Sequence, residues 1–414
     1  MAPVTAATRL FRPTYQLVLG IVCLVCSARG AVFHGSTPSS YTGSAVALSP
    51  SGTILAMGAP NHDPSGRVQV FVRTDQAAEW VQRGEDLIPE GGIRSGSAVT
   101  VSETSIVAIG SPYADEQRGH VDVYEWSGSS WKTVGQTLTG AAPQDLFGCS
   151  VSISEDGTVL AIAARLNDDN GDNSGHVQVF VRSDNEDGER KWIPRGHVIQ
   201  GETEFDGSGF AISLSSNGEA LAIGAPANRN YRGCVRAFEW NADMQNWVER
   251  GDGIIGDTEF DFLGWSVDMS ADGSRLAVGA PYHNAANSHK NAGQVKVYEW
   301  NDETWQRIGE AMNGEEEKEA MGNSVALSPD GAQLAIGSSQ GKTTHGAHAG
   351  HVRVFLLVGG SWVRRDIRLE GELQGDRFGH SLALASDGAL AVGVRQSNAN
   401  AGHVETFDLH GTTE

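Results

Sequence analysis

Short runs in which apolar and small polar residues alternate recur along most of the chain, and turn residues separate them. Residues 322–328 form one such run, and residues 275–279 form another. Alternation with a period of two predicts β-strands, and Asp-Gly or Asn-Gly between two runs predicts a hairpin, because both turn residues tolerate positive φ. This turn occurs at Asp156-Gly157, Asn217-Gly218, Asp272-Gly273, Asp330-Gly331 and Asp387-Gly388.

Two further runs complete a unit of four strands. The second run ends at Gly-Ala-Pro in three copies, where proline cannot continue a strand ladder. The third run is represented by residues 119–126, and the fourth begins at a tryptophan. The fourth-run tryptophans are Trp80, Trp131, Trp192, Trp247, Trp305 and Trp362.

The unit occurs seven times. We call the glycine that opens each first run the anchor glycine, and consecutive anchor glycines lie 52 to 61 residues apart. Four antiparallel strands per unit are typical of a propeller blade, so the sequence predicts an all-β, seven-bladed β-propeller. An open stack of such units would need capping segments, and none is visible. The anchor glycines are Gly43, Gly96, Gly148, Gly209, Gly264, Gly322 and Gly379.

The two ends of the repeat region are complementary. The seventh copy stops after residues 402–407 without a tryptophan strand, and residues 32–35 resemble the end of such a strand. We predict that the N-terminal segment completes the last blade, because this pairing removes two exposed strand edges. The predicted propeller covers residues 31–410, with repeats starting near 41, 94, 146, 206, 261, 320 and 376, and residues 411–414 form a tail.

The first thirty residues have the order of a secretory signal peptide. Arg9 and Arg12 precede an apolar run at residues 17–26, and small residues follow. We predict that residues 1–30 are a signal peptide cleaved near Ala28 or Gly30, and the alternative is an uncleaved anchor. The prediction implies a secreted protein or one at the extracellular surface, without stable membrane insertion after cleavage.

Net charge limits the classes of binding partner, and the cysteine positions bear on whether a disulfide forms. The formal net charge of −21 disfavours binding to nucleic acid and to anionic lipid. We therefore expect an extracellular protein or glycan as partner, and a monomeric chain. Cys149 and Cys234 follow the predicted signal peptide, and their positions in different strands of different blades do not favour a disulfide.

Alternating strand direction gives the predicted propeller two faces. The Asp-Gly turns lie on one face, the turn face, whereas the loops after Gly-Ala-Pro and the links between blades lie on the other, the loop face. Loop length varies on the loop face, and variable loops on a rigid scaffold often bind ligands. The links are acidic, which favours a cation or a basic partner, and a solvated surface is the alternative. The candidate partner-binding residues are Glu202, Glu204, Asp206, Asp257, Glu259, Asp261, Glu315, Glu316 and Asp376, and the links also contain Glu317, Glu319 and Glu372.

One loop has the oxygen donors that Ca²⁺ prefers. Asp168, Asn170 and Asp172 alternate within residues 167–173 and are the candidate metal ligands. The glycine is not at the sixth position of a calcium loop, so an ordinary polar loop is the alternative, and no other cofactor is predicted.

Four histidines begin third strands, and we predict local hydrogen bonds for them, because equivalent positions on different blades lie far apart. These are His120, His176, His351 and His403.

The recurring aromatic residues are interpreted as packing between neighbouring blades, with stacking on carbohydrate as the alternative. Phe210 and Trp265 differ from the rest, because most other copies have a small or polar residue at that position. The simplest expectation is that they fill a local gap.

Two motifs give the repeat a family resemblance. Phe147-Gly148 opens a strand, and Gly279-Ala280-Pro281 closes one. The unit resembles the FG-GAP repeat of integrin α-subunit propellers, and especially the secreted or surface propellers of this class in microbes and algae. The likeness extends from about Tyr41 to Phe407. It implies adhesion or ligand recognition on the loop face and no enzymatic activity.

The chain departs from the family pattern at several copies. No copy matches the Asp-x-Asp-x-Asp-Gly calcium loop of the family, so the resemblance implies the fold and not calcium binding. Gly-Ala-Pro is replaced by Gly110-Ser111-Pro112, Ala163-Ala164-Arg165, Gly337-Ser338-Ser339 and Gly393-Val394-Arg395.

The sequence favours a non-enzymatic binding or adhesion module. One alternative is a sialidase-like glycoside hydrolase, because residues 270–273 faintly resemble an Asp-box turn. Such an enzyme would need two carboxyl groups at catalytic separation in one pocket. The other alternative is a structural component of an extracellular matrix or wall.

Overall fold

The computed structural model describes residues 28–75, 79–184, 189–285, 289–367 and 369–410. It is an all-β propeller of seven blades, each with four antiparallel strands, which confirms the predicted fold class. In blades 2 to 6 the fourth strand consists of two segments that both pair with the third strand. The predicted signal peptide lies outside the described residues, apart from residues 28–30.

The strands follow the chain blade by blade. The first strand of the chain is β1 (Ala28–His34), and blade 1 contains β2 (Ala45–Leu48), β3 (Ile54–Ala59), β4 (Arg67–Val72) and β5 (Val81–Gln82). Blade 2 contains β6 (Ala98–Val101), β7 (Ile106–Ser111), β8 (His120–Trp126), β9 (Trp131–Thr133) and β10 (Leu138–Thr139). Blade 3 contains β11 (Phe147–Ile153), β12 (Val159–Ala164), β13 (His176–Asp184), β14 (Arg190–Pro194) and β15 (Ile199–Gln200). Blade 4 contains β16 (Ala211–Leu214), β17 (Ala220–Ala225), β18 (Cys234–Asn241), β19 (Asn246–Glu249) and β20 (Ile254–Ile255).

The remaining blades repeat the same order. Blade 5 contains β21 (Ser266–Met269), β22 (Arg275–Ala280), β23 (Gln294–Trp300), β24 (Trp305–Arg307) and β25 (Met312–Asn313). Blade 6 contains β26 (Ser324–Leu327), β27 (Gln333–Ser338), β28 (His351–Val358), β29 (Ser361–Arg364) and β30 (Leu369–Glu370). Blade 7 contains β31 (Phe378–Leu384), β32 (Ala389–Val394) and β33 (His403–Asp408).

Three short helical turns lie in loops between second and third strands. They are α1 (Ala114–Gln117), α2 (Asn228–Tyr231) and α3 (Ser397–Asn400), and three residues within each have positive φ. Within the described ranges, no helix has both the length and the apolar character needed to cross a lipid bilayer.

The second strand of each blade forms the core. All six residues of β3, β7, β12, β17 and β32 are buried, because each of these strands lies between two neighbouring blades. Leu160 and Ile162 of β12, for example, belong to the same apolar cluster as Ile106 and Ala108 of β7. Burial on both sides explains why these runs are apolar throughout instead of strictly alternating.

Adjacent blades approach most closely at paired glycines. A Cβ atom at Gly224 of β17 would lie 2.1 Å from the carbonyl oxygen of Gly264, the anchor glycine of the next blade. Six of the seven interfaces have this pair, and Ala163 faces Gly209 at the remaining one. The six pairs are Gly58 with Gly96, Gly110 with Gly148, Gly224 with Gly264, Gly279 with Gly322, Gly337 with Gly379 and Gly393 with Gly43.

Backbone hydrogen bonds join the blades along the turn face. The residue seven positions after an anchor glycine donates its N–H to the equivalent carbonyl of the next blade, as Glu155 does to Ser216 at 2.8 Å. Pro50 and Pro329 occupy this position in two blades and have no N–H to donate. Next to Pro50, the N–H and hydroxyl of Ser51 bind the Glu103 carboxylate instead.

Tryptophans connect the outer edges of neighbouring blades. The Trp305 Nε1–H donates to the Arg250 carbonyl of blade 4 at 2.9 Å, and the Arg250 guanidinium lies over the rings of Trp300 and Trp305. The indole N–H groups of Trp131, Trp192 and Trp247 donate to the preceding blade in the same way. These tryptophans therefore pack between blades, as the sequence predicted.

The N-terminal strand closes the ring. Strand β1 pairs antiparallel with β33, from Ala28 opposite Asp408 to His34 opposite His403. Phe33 packs at 4.5 Å, between ring centroids, against Phe71 of blade 1. This pairing confirms the predicted closure, and β1 begins at Ala28, within the segment assigned to the signal peptide.

We expect Gly224→Ala to destabilise the protein by about 3 kcal/mol or more, because the new methyl group meets a backbone oxygen that a paired strand holds in place. The free energy of unfolding in urea measures the effect. Gly207→Ala is the control: Gly207 has φ +61° and no atom within 4 Å of the place that a methyl group would take, so only the backbone conformation is penalised, by about 1 kcal/mol. Equal losses in the two variants would contradict a steric contact between blades.

Candidate binding site

A cavity of about 430 Å³ lies on the propeller axis at the loop face. Every blade contributes to it the residue that directly follows its anchor glycine, at the start of the innermost strand. Equivalent positions of the innermost strands converge on the axis, so seven distant positions in the sequence form one ring. The ring consists of Ser44, Ser97, Cys149, Phe210, Trp265, Asn323 and His380.

One side of the cavity is aromatic. The ring centroids of Phe210 and Trp265 are 4.5 Å apart, and Trp265 contacts Tyr282 at 5.5 Å. Further ring contacts lead from the cavity to the exposed side chains of Tyr231 and Phe260, which stack on each other at 5.7 Å. We call this set the aromatic track, and it consists of Phe210, Trp265, Tyr282, Phe262, Tyr231 and Phe260.

The other side of the cavity is basic. Arg94, Arg165 and Arg395 line it, and their guanidinium groups lie over the rings of Tyr113, Phe210 and Tyr41 at 4.6, 5.2 and 5.0 Å. In the part of the chain that the structure describes, none of the three forms an ion pair with a carboxylate. The Arg395 Nε is buried and has no hydrogen-bond partner there.

Positive charges act on one another at the basic side. Burial, followed by the charges of Arg395 and Arg377, lowers the pKa of His380 to about 3, so its imidazole is neutral at physiological pH. The pKa of Arg395 is also lowered, first by burial and then by the charges of Arg377 and Arg94, although Tyr41 opposes this effect. The cavity is therefore suited to an anion and not to a cation.

Two features of the sequence mark this site. Arg165 and Arg395 replace the proline of Gly-Ala-Pro in blades 3 and 7. Phe210 and Trp265 stand where most copies have a small or polar residue, and the simplest expectation for them is a local gap. The structure instead places both in the wall of the axial cavity.

Deeper along the axis, the inner strands are joined by side chains. The Leu327 N–H donates to the Asp268 carboxylate at 2.7 Å, and the Ser213 hydroxyl donates to the same group at 3.0 Å. Burial raises the pKa of Asp268 to about 6, although these hydrogen bonds oppose the increase. Asp268 lines a second axial cavity of about 280 Å³ near the turn face, and its role there is to connect blades 4, 5 and 6.

Three of the nine acidic residues assigned to the partner-binding face are not on the surface. Asp206, Asp261 and Asp376 are only 1%, 2% and 4% exposed. Their carboxylates accept hydrogen bonds from backbone N–H groups of their own links, for example from Glu202 and Thr203 to Asp206. The acidic pattern did not distinguish these buried acceptors from exposed neighbours, and the candidate surface must be corrected accordingly.

The other six acids are exposed, but two of them already have basic partners. The Asp257 carboxylate binds Lys296 at 2.6 Å, and Glu315 binds Arg353 and Arg364 at 3.2 and 3.0 Å. None of the six lines the axial cavity. The exposed acids are Glu202, Glu204, Asp257, Glu259, Glu315 and Glu316.

The candidate calcium ligands have local hydrogen bonds. The Asp168 carboxylate accepts from the Asn173 N–H at 2.7 Å, and the Asn170 amide donates to the Gly201 carbonyl at 2.7 Å. Asp172 lies in the same loop. Among the described residues, no group of three or more His, Cys, Asp or Glu side chains is placed to hold a metal ion. The calcium site stays a prediction.

The third-strand histidines bind groups of their own blade or its link. His351 lies 3.2 Å from Glu319, and His403 contacts Ser397 and Glu405 at 2.5 and 2.9 Å. His120 and His176 lie 3.3 and 3.6 Å from Asp122 and Asp169. The predicted local hydrogen bonds therefore form at His351 and His403, whereas His120 Nε2 and His176 Nδ1 have no hydrogen-bond partner among the described residues.

Glu319 is a buried carboxylate with several partners. It is 1% exposed, it lies 2.6 Å from the Arg353 guanidinium, and it accepts backbone N–H groups from Glu315 and Glu316. Burial alone would raise its pKa, but the His351 hydrogen bond and the Arg353 charge outweigh burial and lower the pKa to about 2.

We expect Glu319→Ala to cost about 3 to 5 kcal/mol of unfolding free energy at neutral pH, because Arg353 then stays buried without its main partner. The lowered pKa means that the Glu319 contribution is complete above about pH 4.5 and is lost as the pH falls towards 2. Urea unfolding at several pH values should show the gap between wild type and Glu319→Gln narrowing over this range. Exposed Glu317→Ala is the control, and a pH-independent gap would contradict the assignment.

One family model matches the chain: the FG-GAP repeat model, over residues 137–180. These residues run from β10 at the end of blade 2, through β11 and β12, into β13 of blade 3, and the three-strand arrangement of blade 3 recurs in the other six blades. No curated protein matches the chain at a significant level. The matched repeat and the seven-bladed ring together support an FG-GAP β-propeller family for this chain.

Proposed function

We propose that the protein is a secreted or cell-surface propeller that works as a non-enzymatic binding or adhesion module through its loop face. One observation carries this proposal: the axial cavity of the loop face combines the aromatic track with three arginines that form no ion pair among the described residues. Such a combination of apolar surface and few convergent polar groups is typical of ligand sites.

The scaffold supports this assignment of faces. Backbone hydrogen bonds connect successive blades along the turn face, so its short turns are held in place. The loop face has the longer connections, and the blades meet closely near the axis at the paired glycines. A fixed base beneath variable loops is a common arrangement in binding proteins.

The composition of the cavity favours binding without catalysis. Among the residues that the structure describes, its lining includes no Asp or Glu, whereas glycoside cleavage uses a pair of carboxyl groups. Cys149 is the only thiol of the lining, and burial raises its pKa, which makes it a poor nucleophile. Asp272, in the turn that resembles an Asp box, binds Ser270 and Ser274 of its own turn.

The proposal is tested with the purified mature chain, immobilised cell-surface material and a panel of fluorogenic glycosides. We expect retention on the surface material, no turnover of any glycoside, and loss of retention in Trp265→Ala. Glu155→Gln on the turn face is the control and should be retained as wild type is. Turnover that depends on a loop-face carboxylate, or retention that Glu155→Gln abolishes, would contradict the proposal.

The extracellular location is part of the proposal and makes a separate prediction. The guanidinium of Arg29 binds Glu372 and Glu405 at 2.6 and 2.7 Å, next to the closing strand pair. We expect the secreted protein to keep Arg29, so that its first residue is Ala28 or Arg29. Intact-mass and N-terminal peptide measurements on secreted protein decide this, and a mature chain that begins at Ala31 or later would contradict it.

A further inference from the structure

We infer that the axial cavity and the aromatic track form one binding site for a glycan with a terminal acidic sugar. The sugar ring stacks on the aromatic side, and its carboxylate or sulfate group binds the arginines of the basic side. This inference rests on the proposed function and adds the chemical class of the ligand.

The arginines require an anion that the protein itself does not supply. Many arginines elsewhere in the described chain bind acids, as Arg29, Arg67 and Arg353 do, and acidic residues outnumber basic ones 51 to 30. At the cavity, Arg165 and Arg395 contact aromatic rings instead. Carboxylates and sulfates match the guanidinium group because they accept two parallel hydrogen bonds from it.

Mutual repulsion indicates that the basic side is not optimised for folding. Arg94 and Arg377 both act against the charge of Arg395, whose Nε has no hydrogen-bond partner among the described residues. His380 stays neutral next to them. An incoming anion would remove this repulsion and would bind the buried Nε–H, so the free protein is prepared for a negative group.

The aromatic track binds the part of the ligand that lies beyond its acidic group. Sugar rings have apolar C–H faces that pack flat against aromatic rings, while their hydroxyl groups stay in water. Phe210 and Trp265 offer such faces inside the cavity, and Tyr231 and Phe260 offer them outside it, at 43% and 57% exposure. Exposed apolar rings joined in one continuous series favour an extended ligand of several sugars over an isolated small anion.

Charge outside the cavity favours a single terminal acid over a polyanion. Glu259 precedes Phe260 in the same exposed link, and the formal net charge of the protein is −21. A ligand with acidic groups along its whole length would meet this negative surface within the Debye length of about 8 Å. A glycan with one acidic group at its end places that group in the cavity and neutral sugars on the track.

Binding is measured by calorimetry with four probes. These are a trisaccharide that ends in glucuronic acid, the matching trisaccharide with a terminal sulfated sugar, the uncharged parent trisaccharide, and an acidic peptide. We expect at least one acid-terminated trisaccharide to bind at least tenfold more tightly than the uncharged parent, and the comparison of the two identifies the acid. An acidic peptide that binds while no saccharide does would overturn the glycan assignment.

Substitutions of the arginines test the contribution of the basic side separately from that of the aromatic side. Arg165→Gln and Arg395→Gln should each weaken binding of the acidic trisaccharide at least tenfold and leave binding of the uncharged parent unchanged. Arg307→Gln, an exposed arginine of β24 on the outer strand, is the matched control and should change neither. Equal affinity of wild type for acidic and uncharged trisaccharides would overturn the role of the arginines.

The track has an internal control. Phe205 and Phe260 stand four residues before their anchor glycines, both have positive φ, and their exposures are 52% and 57%. Phe260 stacks on Tyr231, whereas no ring contact involves Phe205 among the described residues. Phe260→Ala should weaken trisaccharide binding several-fold, and Phe205→Ala should not. Equal effects would overturn the track.

Stability measurements test whether misfolding causes the weaker binding of the variants. Removing a repelled charge should leave the melting temperature of Arg395→Gln equal to or above that of wild type. Surface retention lost in Trp265→Ala but unchanged in Arg165→Gln and Arg395→Gln would overturn the acidic ligand and leave the proposed function in place. Absence of all retention by wild type would overturn the proposed function itself.

Discussion

The distance between neighbouring blades at the inner rim is the constraint on which the rest of the structure depends. It is set where a second-strand glycine meets the anchor glycine of the next blade, as Gly224 meets Gly264, with no room for a side chain. Six of the seven interfaces have this glycine pair, and Ala163 faces Gly209 at the other, so neighbouring blades approach each other closely all round the ring. Seven such steps bring β31 beside blade 1, where β1 supplies the missing fourth strand to β33.

In each blade, two consecutive residues have different roles: the first belongs to the scaffold, and the second belongs to the binding site. The anchor glycine of each blade fixes the interface, and the residue after it faces the axial cavity. Ser44 and Ser97 show that a small polar residue suffices at the second position for the ring to close. Phe210, Trp265 and His380 occupy the same position in other blades, so the chemistry of this position varies between blades while the residue before it is always glycine.

The sequence predicted the fold well because its determinants are local. Period-two runs and Asp-Gly turns specify the strands, and residues 32–35 carry enough of a fourth-strand pattern to predict closure. The binding site was harder to predict from the sequence, for two reasons. Asp206 and Glu204 are acids of the same link, and only the folded loop shows that one is buried and the other exposed. The expectation that equivalent positions lie far apart suits the outer third strands, but it does not hold for innermost strands, which meet at the axis.

The contrast between an acidic protein and a basic cavity follows from the range over which charges act. Charges on the exposed links are screened by salt within about 8 Å, so they govern the approach of a partner and scarcely reach the cavity floor. Inside the cavity, Arg94, Arg165 and Arg395 are the arginines of the lining, and their charges dominate there. The charges of Arg94 and Arg377 act against that of Arg395, and the paired glycines and the closing strand hold the blades together against this repulsion. A rigid ring can therefore keep like charges close to one another, which a flexible loop would relieve by moving apart.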